Sequence, residues 1–157
     1  MIPRYTRPEM GQIWSDEARF EKWREIEVLA CEAWSGLGAI PKKSLKNIQK
    51  NITIDPKRVA VIEAEVKHDV IAFLTAMGEL IGPDARHVHR GMTSSDLVDT
   101  AFACQLIEAS KLIVKGLKGL LRALKAQAKK HKNTPMIGRT HGIHAEPITM
   151  GLKLANF

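Results

Sequence analysis

The fold is decided by residues 96–131, DLVDTAFACQLIEASKLIVKGLKGLLRALKAQAKKH, a stretch that contains no proline. A helix of 36 residues is about 54 Å long and exceeds the average globular helix roughly threefold. The few elements available in a chain of 157 residues do not bury such a helix, so it indicates a long bundle completed by partner chains. We therefore expect an all-α fold, with an N-terminal helical domain at 1–111 and the beginning of a long central helical bundle at 112–157.

Shorter helices are predicted upstream of this stretch. Ser15 precedes Asp16, and a serine followed by acidic residues is typical of a helix start. Asp55 precedes Pro56, which places a capping side chain before proline at the first helical position. Apolar residues at helical spacing follow both starts, and the last of these runs ends at residues 82–83, Gly-Pro.

The final part of the sequence is predicted to be a loop followed by an interrupted helix. Residues 133–147, NTPMIGRTHGIHAEP, contain two prolines and two glycines, which predict a loop. A helical pattern starts at Pro147 and is still in progress at Phe157. We therefore expect the chain to be the N-terminal portion of a longer protein.

The composition excludes several classes of protein. Aromatic residues make up 5% of the chain, which is few for a β-sandwich. Two cysteines, Cys31 and Cys104, are too few for a disulfide framework, and no apolar run is long enough to span a membrane. We expect reduced thiols and a cytoplasmic location. The net charge of +7 predicts anionic partners, without distinguishing among nucleic acid, a membrane surface and a small acidic substrate.

The long helix has one basic face and one apolar face. Its basic residues are spaced by three and four: Lys111, Lys115, Lys118, Arg122, Lys125, Lys129 and Lys132. Such a helix is compatible with binding to nucleic acid or an anionic membrane. The basic face lacks the aromatic residues that stack on bases, so we favour lysines that face water.

Four polar motifs are candidates for chemistry. Arg4-Tyr5 combines a guanidinium group, which binds phosphate, with a hydroxyl. Residues 67–69, Lys-His-Asp, lie between two apolar helical runs, where Asp69 is placed to cap the second helix.

The other two motifs contain histidines. Residues 87–96 place His87 and His89 before a helix start that Ser94 or Ser95 is expected to cap, and free N–H groups at a helix start bind anions. Residues 139–144, RTHGIH, place histidines in a glycine-containing loop, where imidazole is suited to general acid catalysis. The paired histidines lack the three or four ligands that zinc requires, so no metal is expected.

Taken in order, the four motifs resemble the adenylosuccinate lyase family of the fumarase/aspartase superfamily. The resemblance spans the chain and rests on RY at 4–5, KHDV at 67–70, HRGMTSSD at 89–96 and RTHGIHAEP at 139–147. It implies β-elimination of fumarate from adenylosuccinate, giving AMP, and from the succinyl-carboxamide ribotide of purine biosynthesis. It implies no cofactor, a homotetramer, and neither nucleic-acid nor membrane partners.

The resemblance also implies roles for individual residues. His141 is expected to be the general acid, and Thr93 and Ser94 to bind succinyl carboxylate oxygens. Arg4 and Tyr5 are expected to hold the nucleotide phosphate. The remaining substrate-binding residues are Lys67, His68, Asp69 and His89.

In this family, the catalytic base is a serine on a loop that lies beyond residue 157, so we expect this portion alone to be inactive. Two alternatives remain open from the sequence. One is another lyase of the same superfamily, such as a cycloisomerase or an argininosuccinate lyase. The other is a basic helical module that binds nucleic acid or membrane.

Overall fold

The structure is a computed structural model that describes residues 2–50 and 52–157. Helices dominate over these residues, as the all-α prediction requires. Two short 3-10 helices cover Pro3–Tyr5 and Gly82–His87. The α-helices are α1 Pro8–Ile13, α2 Asp16–Gly36, α3 Lys42–Ile48, α4 Pro56–Val66, α5 Asp69–Ile81, α6 Ser94–Lys130 and α7 Met150–Ala155, and the strands are β1 Pro135–Thr140 and β2 Ile143–Thr149.

The chain divides into two compact units. The first extends to Ala109 and the second runs from Ser110 to Phe157. None of the helices among the described residues is long and apolar enough to cross a membrane.

An aromatic cluster forms the centre of the first unit. Phe20 and Trp23 on α2 contact Phe73 on α5, with ring centroids 5.3–5.8 Å apart. All three are at most 3% exposed, and each such side chain stabilises the fold by about 1.5–3 kcal/mol through burial. This cluster fixes α2 against α5, and α5 begins in one polar motif, at Asp69, and leads towards the motif that contains His89.

Two of the predicted helix starts are confirmed. The Ser15 hydroxyl accepts a hydrogen bond from the Ala18 N–H at 3.1 Å, and Asp55 accepts one from the Lys57 N–H at 2.9 Å. These bonds satisfy N–H groups that have no partner within the helix.

The start of α6 differs from the expectation that Ser94 or Ser95 caps it. The helix already includes Ser94, and Thr93 precedes it. The Asp96 carboxylate accepts a hydrogen bond from the Thr93 N–H at 2.9 Å. The third helical residue therefore reaches back to the capping position, as in a capping box.

In the second unit, the loop prediction for residues 133–147 is wrong. Strands β1 and β2 pair antiparallel from Pro135↔Thr149 to Thr140↔Ile143, and α7 begins at Met150 rather than at Pro147. The register shifts at Gly138, where an added Cβ would lie 2.8 Å from the Glu146 carbonyl oxygen. Glycine at a bulge permits this close approach, so residues that suggested a loop instead shape a hairpin.

Candidate active site

Three of the predicted site residues share an uncommon backbone conformation. The φ angles of Lys67, His89 and His141 are 55°, 62° and 47°, and no other non-glycine residue among those described has a positive φ. The left-handed conformation costs an L-residue about 1–2 kcal/mol, and strain of this kind clusters at functional sites. The backbone therefore singles out one residue in each of three motifs.

The junction between α4 and α5 carries the motif of residues 67–69. Lys67 ends α4, and its N–H donates to the Glu63 carbonyl at 2.8 Å. The prediction that Asp69 caps α5 is wrong, because the His68 ring lies at the cap and its Nδ1 accepts from the Ile71 N–H at 3.4 Å. Asp69 is the first helical residue, and all three motif side chains are exposed.

The Arg4-Tyr5 motif lies in the 3-10 helix near the start of the chain. Arg4 places its guanidinium 4.8 Å from the centroid of the Tyr5 ring. Tyr5 is 73% exposed, so its hydroxyl is accessible to a ligand.

His89 is held by a carboxylate from α2. One oxygen of Glu27 accepts from the His89 N–H at 2.8 Å, and the other lies 2.6 Å from His89 Nδ1. Glu27 is fully buried, whereas 18% of the His89 side chain is exposed. One buried group therefore fixes both the backbone and the ring of His89.

Further contacts from the same face of α2 hold the loop around His89. Trp34 Nε1 donates to the Arg90 carbonyl at 2.8 Å, and the Cys31 thiol lies 3.7 Å from the His87 carbonyl. Burial raises the pKa of the Cys31 thiol to about 11, and the nearby charge of Glu27 adds to this effect. Cys31 is therefore an inert core thiol rather than a nucleophile.

Thr93 and Ser94 lie at the N-terminus of α6, where we expect them to bind carboxylates. Thr93 is exposed and Ser94 is half-buried. Among the described residues, neither hydroxyl hydrogen-bonds to another side chain. The positive end of the helix dipole favours an anion at this position.

His141 lies in the turn of the hairpin. His141 and Gly142 both have positive φ, 47° and 75°, which is the conformation of a type I′ turn joining two strands. Arg139 donates to the Gly142 carbonyl at 3.2 Å. His141 is exposed, and His144 lines a shallow concavity beside the turn with Arg139 and neighbouring hairpin residues.

Each motif is held by a different set of neighbouring residues. Among the described residues of the first unit, no hydrogen bond or ion pair joins its three motifs to one another. Nor do three or more His, Cys, Asp or Glu residues group there as metal ligands would. Sequence reasoning missed Glu27. Its one detectable signal is a charged residue at a helix position where the apolar spacing of α2 predicts a buried side chain.

Comparisons with known proteins show that the chain is similar to lyases. A family profile described as "Lyase" matches residues 4–157. The chain is 50% identical over 155 residues to an adenylosuccinate lyase of Bacillus subtilis, and 50% identical over 157 residues to one of Synechocystis. These matches include 99% and 100% of this chain but only 36% of each relative. The chain therefore spans about a third of the length of these relatives.

Solved structures of related enzymes have the same fold over this length. A fumarate lyase from Mesorhizobium superposes with a TM-score of 0.86 at 28% identity, covering 94% of this chain and 36% of that one. A 3-carboxy-cis,cis-muconate lactonizing enzyme from Pseudomonas putida gives 0.86 at 33% identity, with 97% and 36% covered. Because the family profile matches nearly the whole sequence, the chain belongs to the lyase family.

Proposed function

We propose that the full-length polypeptide containing this chain cleaves adenylosuccinate to AMP and fumarate, and also cleaves the succinyl-carboxamide ribotide of purine biosynthesis. The observation that carries this proposal is the 50% identity, over nearly the whole chain, to adenylosuccinate lyases. The related muconate enzyme is less similar, at 33%.

The reaction is a β-elimination, and this chain supplies some of the groups that it requires. A base removes the proton next to a carboxylate, the C–N bond breaks, and a C=C bond forms. His141 donates a proton to the leaving nitrogen, since an imidazole is suited to general acid catalysis near neutral pH. The base comes from the remainder of the polypeptide, so these 157 residues alone are inactive.

The substrate presents two carboxylates and a phosphate to the other motifs. Thr93 and Ser94 bind carboxylate oxygens at the start of α6, and Arg4 and Tyr5 bind the phosphate. The remaining contacts come from Lys67, His68, Asp69 and His89. Left-handed backbone at Lys67, His89 and His141 supports this assignment, because strain persists where the surrounding structure holds a group for function.

We also propose that the full-length protein is a homotetramer and that residues 112–157 begin its central helical bundle. Apolar side chains on the second half of α6 support this, since Ile113, Leu117, Leu120 and Leu121 are each 56–58% exposed. An apolar face of this kind marks an association surface.

Both cysteines are free, which fits a reducing, cytoplasmic location.

The test is fumarate release from adenylosuccinate by the full-length polypeptide, followed by ultraviolet absorbance. His141→Gln is expected to lower kcat by about 10²–10⁴-fold while nucleotide binding remains. His131→Gln is the matched control, because His131 lies at the end of α6 outside the four motifs. Unchanged turnover in His141→Gln would remove His141 from its role.

A substrate panel separates this proposal from its alternatives. Activity on argininosuccinate or a carboxymuconate, without activity on adenylosuccinate, would assign a different lyase of the superfamily. Salt-sensitive nucleic-acid or vesicle binding, lost when Lys118, Arg122 and Lys125 are changed to Glu and accompanied by no lyase activity, would favour a binding module.

A further inference from the structure

We propose that Glu27 is a positioning residue that fixes the proton and the orientation of the His89 ring for substrate binding. This inference rests on the proposed function. It goes beyond that function because Glu27 lies outside all four motifs, 62 residues before His89.

The geometry defines what Glu27 does. Its two oxygens face two nitrogens of the same residue, at 2.8 Å from the His89 backbone N and 2.6 Å from Nδ1. The backbone N–H is always a donor, and an ionised carboxylate is only an acceptor. We therefore assign a proton to Nδ1, which donates to Glu27 Oε1.

This assignment determines the state of the other ring nitrogen. Among the described residues, Nε2 of His89 has no hydrogen-bond partner, and the side chain is 18% exposed. In the neutral ring, a proton on Nδ1 leaves Nε2 as an acceptor, and in the charged ring Nε2 is a second donor. Either way, Nε2 is the nitrogen that remains for the substrate.

Burial makes this pair sensitive to a small change. Glu27 is fully buried on α2, where a charge without a partner is strongly destabilising. A glutamine there has nearly the same shape but offers one acceptor and one donor. If its oxygen accepts from the His89 N–H, its amide donates to Nδ1, and the ring proton moves to Nε2. Glu27→Gln therefore alters the ring while preserving the packing.

The first experiment locates the proton directly. In full-length protein labelled with ¹⁵N-histidine, His89 is assigned by the loss of its signals in His89→Gln. We expect Nδ1 to be protonated in the parent protein and unprotonated in Glu27→Gln. An unprotonated Nδ1 in the parent protein would overturn the proposal. The measurement on the parent protein, which can overturn the proposal by itself, needs neither lyase activity nor a folded variant of Glu27.

The second experiment asks whether Glu27 acts through His89. Glu27→Gln is expected to lower kcat/KM for adenylosuccinate about tenfold or more. In the His89→Gln background, the same change is expected to alter kcat/KM less than twofold, because coupled residues are not additive. Glu25→Gln is the matched control, since Glu25 lies on the same helix and pairs with Lys22 at 3.3 Å.

The outcomes separate the two proposals. If Glu27→Gln has equal effects with and without His89, Glu27 is a structural residue and the inference fails. If the parent protein releases no fumarate from adenylosuccinate, the proposed function fails. The position of the His89 proton then still shows whether Glu27 determines the protonation and orientation of the ring.

Discussion

His89 and His141 have the same left-handed backbone, yet the two regions of the molecule hold them in different ways. The loop at His89 is held to α2 by Glu27, which lies 62 residues before His89, and by Trp34, which lies 56 residues before Arg90. His141 is held by a two-residue turn between strands that pair with each other. One histidine therefore depends on tertiary contacts and the other on local geometry.

This difference shows which contacts position each histidine side chain. A buried carboxylate fixes a ring as well as a backbone, so His89 is oriented within this chain. A type I′ turn fixes only the backbone, and among the described residues no side-chain hydrogen bond holds the exposed His141 ring. We expect substitutions near His89 to affect stability more than equivalent substitutions near His141.

The largest expected effect comes from adding a methyl group in each region. An alanine Cβ at Gly91 would lie 3.2 Å from Trp34, whereas at Gly142 it meets no described atom within 4 Å. Both glycines have a φ of 75°, so both variants should lose about 1–2 kcal/mol of unfolding free energy through strain. Gly91→Ala should lose about 1 kcal/mol more, because Trp34 must shift.

Urea unfolding of the full-length variants measures this difference. Equal losses of unfolding free energy in Gly91→Ala and Gly142→Ala would mean that the two regions are supported alike, which would contradict the difference described above.

A smaller effect is expected at Lys67, the third left-handed residue. Lys67→Gly relieves the backbone and should raise the free energy of unfolding by about 0.5–1 kcal/mol. Lys67→Ala keeps the strained backbone and should not. Because we propose that the Lys67 amine binds substrate, both variants should raise KM. A stabilised Lys67→Gly with unchanged KM would show that the strain serves no binding role.

The smallest effect concerns Asp84, in the 3-10 helix just before the His89 loop. The Ser44 hydroxyl and the Asn47 amide hold the pKa of Asp84 below its usual value of 3.8, with Arg86 and His87 adding to this. A lowered folded-state pKa stabilises the protein above about pH 4, and that stabilisation is lost as the pH falls through the folded value.

Asp84→Asn should therefore lower Tm at pH 7 by about 1–2 °C, with a difference that shrinks towards pH 2. Melting curves across this range provide the measurement. A difference that stays constant with pH would show that the Asp84 charge is not what holds this end of the loop.

Much of the helical fold was predictable because its signals are local. The absence of proline over 96–131 indicated α6, and Ser15 and Asp55 marked helix starts that the structure confirms. The hairpin was missed because Gly138 and Pro147 are loop signals in isolation, and only strand pairing turns them into a bulge and a strand residue. Glu27 was missed because its partner is 62 residues away, and sequence spacing does not encode that contact.

The long separation between Glu27 and His89 has a consequence for biogenesis. During synthesis, the Glu27 carboxylate emerges well before His89, whose N–H and ring face it in the folded unit, and domains generally fold as units. Until residue 89 has left the ribosome, packing of α2 would bury the Glu27 carboxylate without its partner. The packing around Glu27 that the structure shows therefore requires synthesis of the chain at least as far as His89.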